Sequence, residues 1–165
     1  MTSREAFLET WKMESATTQR VLDAVPNAKL DYRPDPKSRT GLELAAHVAG
    51  HGPILTALVE TGRIGGGPMP APKSLKEAVG VFGASLPKLE KLIQGTDDKT
   101  WDTRMSGIFG PDGKAMMQAP LGTMVWFLFY DLVHHRGQLC AYLRAMGGKV
   151  PSVYGPSADD PGRPS

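Results

Sequence analysis

The sequence predicts an all-α fold: a four-helix bundle with a short β-hairpin or long loop between its third and fourth helices. Three observations carry that expectation. Four segments repeat apolar residues at helical spacing, capping residues stand ahead of them, and glycine and proline punctuate the links.

The first helix is expected from about Ser3 to Val25, with Ser3 as its cap and Phe7, Trp11, Thr18, Val21 and Leu22 on its buried face. Pro26 stops it. The following PNAKLDYRPDPKSRT holds three prolines and reads as an anchored loop. Thr40 caps the second helix and Glu43 completes a capping box. Its buried stripe is Leu44, Val48, Leu55, Leu58 and Val59, and Gly52-Pro53 is expected to kink it. GRIGGGPMPAPKS follows as a mobile connection.

Ser74 and Glu77 open the third helix in the same way, Leu75, Val79, Phe82, Leu86, Leu89 and Ile93 form its apolar face, and Pro87 is expected to bend it. Gly95 ends it. In WDTRMSGIFGPDGKAMMQAP the helical pattern breaks, and Gly110-Pro111-Asp112-Gly113 signals a turn. The fourth helix is expected from Pro120 to about Met146, closed by Gly147-Gly148. In the proline-rich tail Tyr154 is expected to pack back on the body, and residues 155–165 to be loosely ordered. The long links leave room for a topology other than up-and-down.

One domain, residues 1–165, accounts for this length. With 41% hydrophobic and 22% charged residues, wholesale disorder is excluded. A formal charge of +2 is too small to imply nucleic-acid or membrane binding, and neither partner is expected. No apolar run approaches the roughly 20 residues that cross a bilayer. The N-terminal MTSREAFLETWKMES lacks a signal-peptide core, and the single cysteine, Cys140, excludes an internal disulfide. The expectation is a cytoplasmic domain.

The four histidines fall in two places, His47 and His51 on the second helix and His134 and His135 on the fourth. Residues four apart share a helix face, so Asp131 projects with His135 along Leu128, Leu139 and Tyr142. His47 lies in a second apolar stripe with Leu44, His51, Ile54 and Leu58. A carboxylate placed within an apolar face calls for a partner or a cation. Two imidazoles and a carboxylate from facing helices suit zinc, nickel or ferrous iron, with positions left open for water or substrate. Spacing alone leaves alternatives: Asp131 in a salt bridge with His135 or Arg136, His47 as a hydrogen-bonded core histidine, or His51 as the ligand instead. His134 points about 100° from His135, toward solvent or a supporting position. Cys140 reads as a small buried residue.

From His134 to Gly148, HHRGQLCAYLRAMGG resembles the last bundle helix of the DinB and YfiT-like superfamily, which is unrelated to the DNA polymerase of similar name. The likeness extends over nearly the whole chain, including LAAHVAGH, Tyr32-Arg33-Pro34 and the GKVPSVYGPSADD ending. It implies a metal held by His47, Asp131 and His135. One departure is plain: the family's usual residue at position 131 is a third histidine. Aspartate keeps a ligand but favours harder cations and makes a bound water less acidic. The resemblance further implies a metal-dependent enzyme that activates a thiol or water, of transferase or hydrolase type. It would carry zinc or nickel, or iron or manganese, with a low-molecular-weight thiol as co-substrate, a small-molecule substrate and a homodimeric assembly. The alternatives are a non-catalytic ligand-binding or stress-response bundle with a vestigial site, and a bundle serving mainly dimerisation through Gly137 and Met116-Met117. Gly137, costly in mid-helix, is expected to pack closely against another helix or subunit. Arg136 is expected to reach a carboxylate or helix end, and Gln138 to hydrogen-bond across the bundle.

Overall fold

A computed structural model describes residues 1–65 and 72–162. The first helix, α1 (Ser3–Asp23), starts where expected and ends two residues before Val25, but Thr2 rather than Ser3 is its cap, in a reciprocal box with Glu5. Ser3 is thereby freed to accept from the indoles of Trp101 and Trp126. Helix α2 (Gly41–Thr61) carries the expected Thr40–Glu43 capping box and ends on Gly62, whose φ of 74° is left-handed. It runs unbroken through Pro53, and Gly52 beside it lets α3 come close, because a Cβ there would overlap Ser85 Oγ. Helix α3 (Leu75–Gly95) is capped by Ser74 and likewise continues through Pro87. Glu77 turns its carboxylate to the Lys73 backbone N–H instead of closing a box.

Between α3 and the last helix the chain forms a short helix, α4 (Asp98–Thr103), that the periodicity does not reveal, and then the expected hairpin. Strands β2 (Met105–Phe109) and β3 (Ala115–Pro120) pair antiparallel, with Ser106 opposite Ala119 and Ile108 opposite Met117. A third strand, β1 (Arg63–Gly65), joins β2 in parallel, so the first residues of the glycine-rich connection are strand. The rest of that connection, 66–71, lies outside the described residues, as do 163–165. Helix α5 (Leu121–Ala145) follows β3 directly, with Pro120 as its N-cap.

The four long helices form a ring in which α1 and α2 each pack on both α3 and α5. Its core holds Phe7, Trp11, Leu22, Leu55, Leu58, Phe82, Leu89, Ile93, Leu132 and Leu139, all fully buried. Helix α2 is in fact long and apolar enough to cross a membrane by composition alone. Most of it is buried inside the bundle, which accounts for that apolarity. The small sheet closes the end of the bundle where α2 finishes and α5 starts: Gly107 N–H donates to the Gly62 carbonyl and Leu121 N–H to that of Arg104. That leaves the middle of the α2–α5 seam free of the sheet.

The tail returns across the opposite end. Asp159 accepts from Arg144 Nε at 2.9 Å and from the Val150 N–H at 3.0 Å, and Asp160 accepts from the Ser152 N–H at 2.8 Å. Tyr154 reaches back to the body through its hydroxyl, which accepts from Arg136 at 2.6 Å, while its side chain stays largely exposed instead of packing as expected.

Candidate metal centre

Three of the four histidines converge at the α2–α5 seam, around Asp131. His47 Nε2 lies 3.8 Å from Asp131 Oδ2, and His135 Nε2 lies 3.4 Å from Asp131 Oδ1. The ligand atoms of His47, Asp131 and His135 all fall within 4.8 Å of one another. Bond lengths of about 2.0–2.2 Å to zinc set neighbouring tetrahedral ligand atoms roughly 3.3 Å apart. The His135 separation is close to that spacing and the His47 separation, to the other carboxylate oxygen, is somewhat longer, so the donor types suit a divalent ion and small side-chain shifts would bring them onto it.

The protonation states suit it as well. His135 Nδ1–H donates to Gln138 Oε1 at 2.8 Å, which leaves the Nε2 lone pair facing the cluster. Gln138 in turn donates through Nε2 to His134 Nε2 at 3.0 Å. Gln138 therefore bonds along its own helix, not across the bundle, and His134 supports the ligand instead of joining it. Burial pushes His47 down to about 4, aided by the charges of His51, Arg39 and His135 and opposed only by Asp131. At neutral pH His47 offers a lone pair without first losing a proton.

Asp131 was expected within an apolar face; its side chain is instead 39% exposed, because the seam opens to solvent there. Burial still raises its carboxyl. The hydrogen bond from His51 and the nearby histidine charges outweigh that effect and hold it below the usual carboxylate range. It makes no ion pair with Arg136.

His51 plays a part that spacing could not assign. It is buried, its Nδ1–H donates to the His47 carbonyl at 2.9 Å, and its Nε2 meets Asp131 Oδ2 at 2.9 Å. Both ring nitrogens are thus engaged, and the ring fixes the direction of the carboxylate. The signal available in sequence was only the four-residue spacing from His47; which of the two faces α5 is set by the rotation of α2.

Residues 136 and 137 leave the seam. Arg136 is buried on the far face of α5, where its guanidinium meets Glu14 Oε2 at 2.6 Å and Thr18 Oγ1 at 3.1 Å on α1, besides Tyr154. Tyr154 donates to the same Glu14 oxygen at 3.1 Å, closing the network. Gly137 packs against nothing among the described residues: a Cβ there would meet open space. Cys140 is half-buried, and burial pushes its thiol up, away from reactivity.

A helical bundle with a His/Asp/His cluster between its second and last long helices defines a class of candidate metal-binding proteins. The chain belongs to the DinB family, whose sequence profile matches residues 1–163. It is similar to the protein YrdA of Bacillus subtilis strain 168, at 26% identity over 156 residues, 93% of this chain and 89% of that one. Among solved structures, a DinB-like protein from Bacillus cereus superposes with a TM-score of 0.73 at 26% identity, covering 91% of this chain and 97% of the other. YjoA, a DinB-like protein of Bacillus subtilis, superposes at 0.64 with 14% identity, over 86% and 92% of the two chains. A mycothiol-dependent maleylpyruvate isomerase superposes at 0.53 with 16% identity, over 92% of this chain and 65% of its own. These last two share the fold.

Proposed function

We propose that the chain is a metal-dependent enzyme in which His47, Asp131 and His135 hold a divalent ion, zinc or nickel foremost. The observation that carries this reading is the convergence of two imidazoles and a carboxylate whose ligand atoms lie within 4.8 Å of one another, with His135 held by Gln138 in the tautomer that faces inward. An ion bound there would acidify a coordinated thiol or water and stabilise developing negative charge. The chain's own residues would supply the rest: His51 orients the carboxylate, Gln138 orients His135, and the open seam beside Asp131 admits a small-molecule substrate. That a protein of this fold is named mycothiol-dependent supports a low-molecular-weight thiol as co-substrate, with transferase and hydrolase chemistry both open to the centre.

One observation favours the non-catalytic alternative. The His51–Asp131 bond satisfies the carboxylate without any metal, as a polar cluster in a simple ligand-binding bundle would. The two readings part in one experiment. Zinc- or nickel-loaded protein is given a small thiol with a generic electrophile, and separately an ester. Thiol consumption or hydrolysis above that of the free ion, lost in His135→Ala, is the expected result. Bound metal with no acceleration of either would leave the non-catalytic bundle.

A further inference from the structure

Beside the centre, between the loop before α2, the start of α2 and the C-terminal half of α5, lies a pocket of about 640 Å³, a size suited to a small molecule. Pro34, Lys37, Arg39, Leu44, Gln138 and Tyr142 line it. None of the three candidate ligands lines it, but Leu44 stands one turn before His47 on α2 and Gln138 is the residue that holds His135, so the pocket lies next to the supports of the centre. Two cations line it and no carboxylate does. Neither Lys37 nor Arg39 takes part in an ion pair among the described residues. Glu43 feels the charge of Arg39, but its Oε2 already accepts from the Thr40 N–H at 2.7 Å.

The wall that carries these cations is fixed. Gly41 N–H donates to the Tyr32 carbonyl at 2.8 Å and Leu42 N–H to that of Leu30 at 2.9 Å, which ties the loop to the start of α2. Tyr142 donates to the Arg39 carbonyl at 3.3 Å and meets the Tyr32 ring edge-on at 5.6 Å, which ties it to α5. The backbone is held while both cationic side chains stay exposed, an arrangement that spares a ligand the cost of ordering the loop.

We propose that this pocket is the anion subsite of the centre: the substrate carries an oxyanion, carboxylate or phosphate, that pairs with Arg39 and Lys37 and sets its reacting end at His47, Asp131 and His135. A planar guanidinium suits such a group, and the apolar walls of Pro34, Leu44 and Tyr142 suit a short hydrocarbon spacer. As a substrate subsite it rests on the metal-enzyme reading; as an anion pocket it does not.

The test is calorimetric or ligand-observed NMR titration of the full chain, as purified and zinc-loaded. The probes are succinate, inorganic phosphate and the neutral analogue succinamide, and metal content is measured on every sample. Succinate or phosphate should bind, succinamide at least tenfold more weakly, and affinity should fall as salt rises. Arg39→Gln and Lys37→Gln should each weaken the anion several-fold, and the double variant at least tenfold, with metal content and melting temperature unchanged. Succinate against phosphate tells which oxyanion the pocket prefers. Equal anion binding by wild type and double variant would overturn the subsite, whatever the metal content. An empty wild type after zinc incubation would overturn the metal reading, while the anion titration still decides the pocket.

Discussion

His135 and Arg136 are neighbours on α5, yet they build polar clusters of opposite character. Arg136 looks toward α1, is 2% exposed at its side chain, and finds Glu14, Thr18 and Tyr154 closing around it. His135 looks toward α2 into a seam where Asp131 is 39% exposed and where His47 and His135 keep free lone pairs. The first cluster satisfies itself: its charges cancel and its donors are used. The second closes only in part: His51 bonds one oxygen of Asp131 at 2.9 Å, while His47 and His135 stand 3.8 and 3.4 Å from the carboxylate. A buried, self-satisfied network holds a fold together; a half-open cluster has room for something from outside.

If the Arg136 cluster is purely structural, breaking it should cost stability and spare the seam. Arg136→Met strands Glu14 and Tyr154 and should lower unfolding free energy by about 3–5 kcal/mol. Urea denaturation measures this; zinc stoichiometry of the folded fraction should be unaltered. A variant of normal stability that loses zinc would reverse the assignment of the two clusters.

On the other side, Gln138→Ala should leave stability nearly unchanged and weaken zinc about 10–100-fold by releasing the His135 tautomer. A chelator competition reads it, and wild-type affinity in the variant would remove Gln138 from the centre.

The pH response should come from the seam. His47 titrates lower in the folded chain than the ordinary 6.5, at about 4, so between these values the unfolded chain binds a proton that the native state refuses. Stability of the metal-free protein should therefore be full above pH 6.5 and decline as pH falls toward 4. The lowered Asp131 carboxyl acts in the same direction. The loss is on the order of 2 kcal/mol, read from urea midpoints at several pH values. His47→Gln should flatten this slope; an equal slope in that variant would place the titrating group elsewhere.

The smallest effect concerns Gly137, which has open space around it. Gly137→Ala should stabilise the helix by about 1 kcal/mol and raise the melting temperature by roughly 2–4 °C. A lower melting temperature together with weakened self-association would instead mean that a second copy comes close at this glycine.

Much of this comparison was legible in the sequence, and the illegible part has a common cause. Thr40, Glu43 and Ser74 mark helix starts through contacts three residues away, and Gly110-Pro111-Asp112-Gly113 marks a turn within four. The pairing of Asp131 with His135 follows from one helical turn in the same way. Gln138 bonding to His135 is equally local and was available from spacing, although reach across the bundle was expected. Helix α4 is too short for periodicity to show, though Asp97 caps it by accepting from the Thr100 N–H at 2.8 Å. The clamp of Arg136 on Glu14, the turn of His51 toward Asp131 and the parallel pairing of β1 with β2 depend on how distant segments are rotated and packed. No local spacing encodes those. The cationic pocket belongs with them, since Arg39 and Gln138 meet only after the bundle closes.

The central claim is that the open cluster takes a metal, and its most direct test is metal content by plasma mass spectrometry on untagged protein beside His135→Ala. The account predicts near one divalent ion per wild-type chain after zinc or nickel incubation and desalting, and almost none in a variant that melts normally. Wild-type protein that stays empty after zinc, nickel and manganese, or a variant that retains the ion in full, would contradict it.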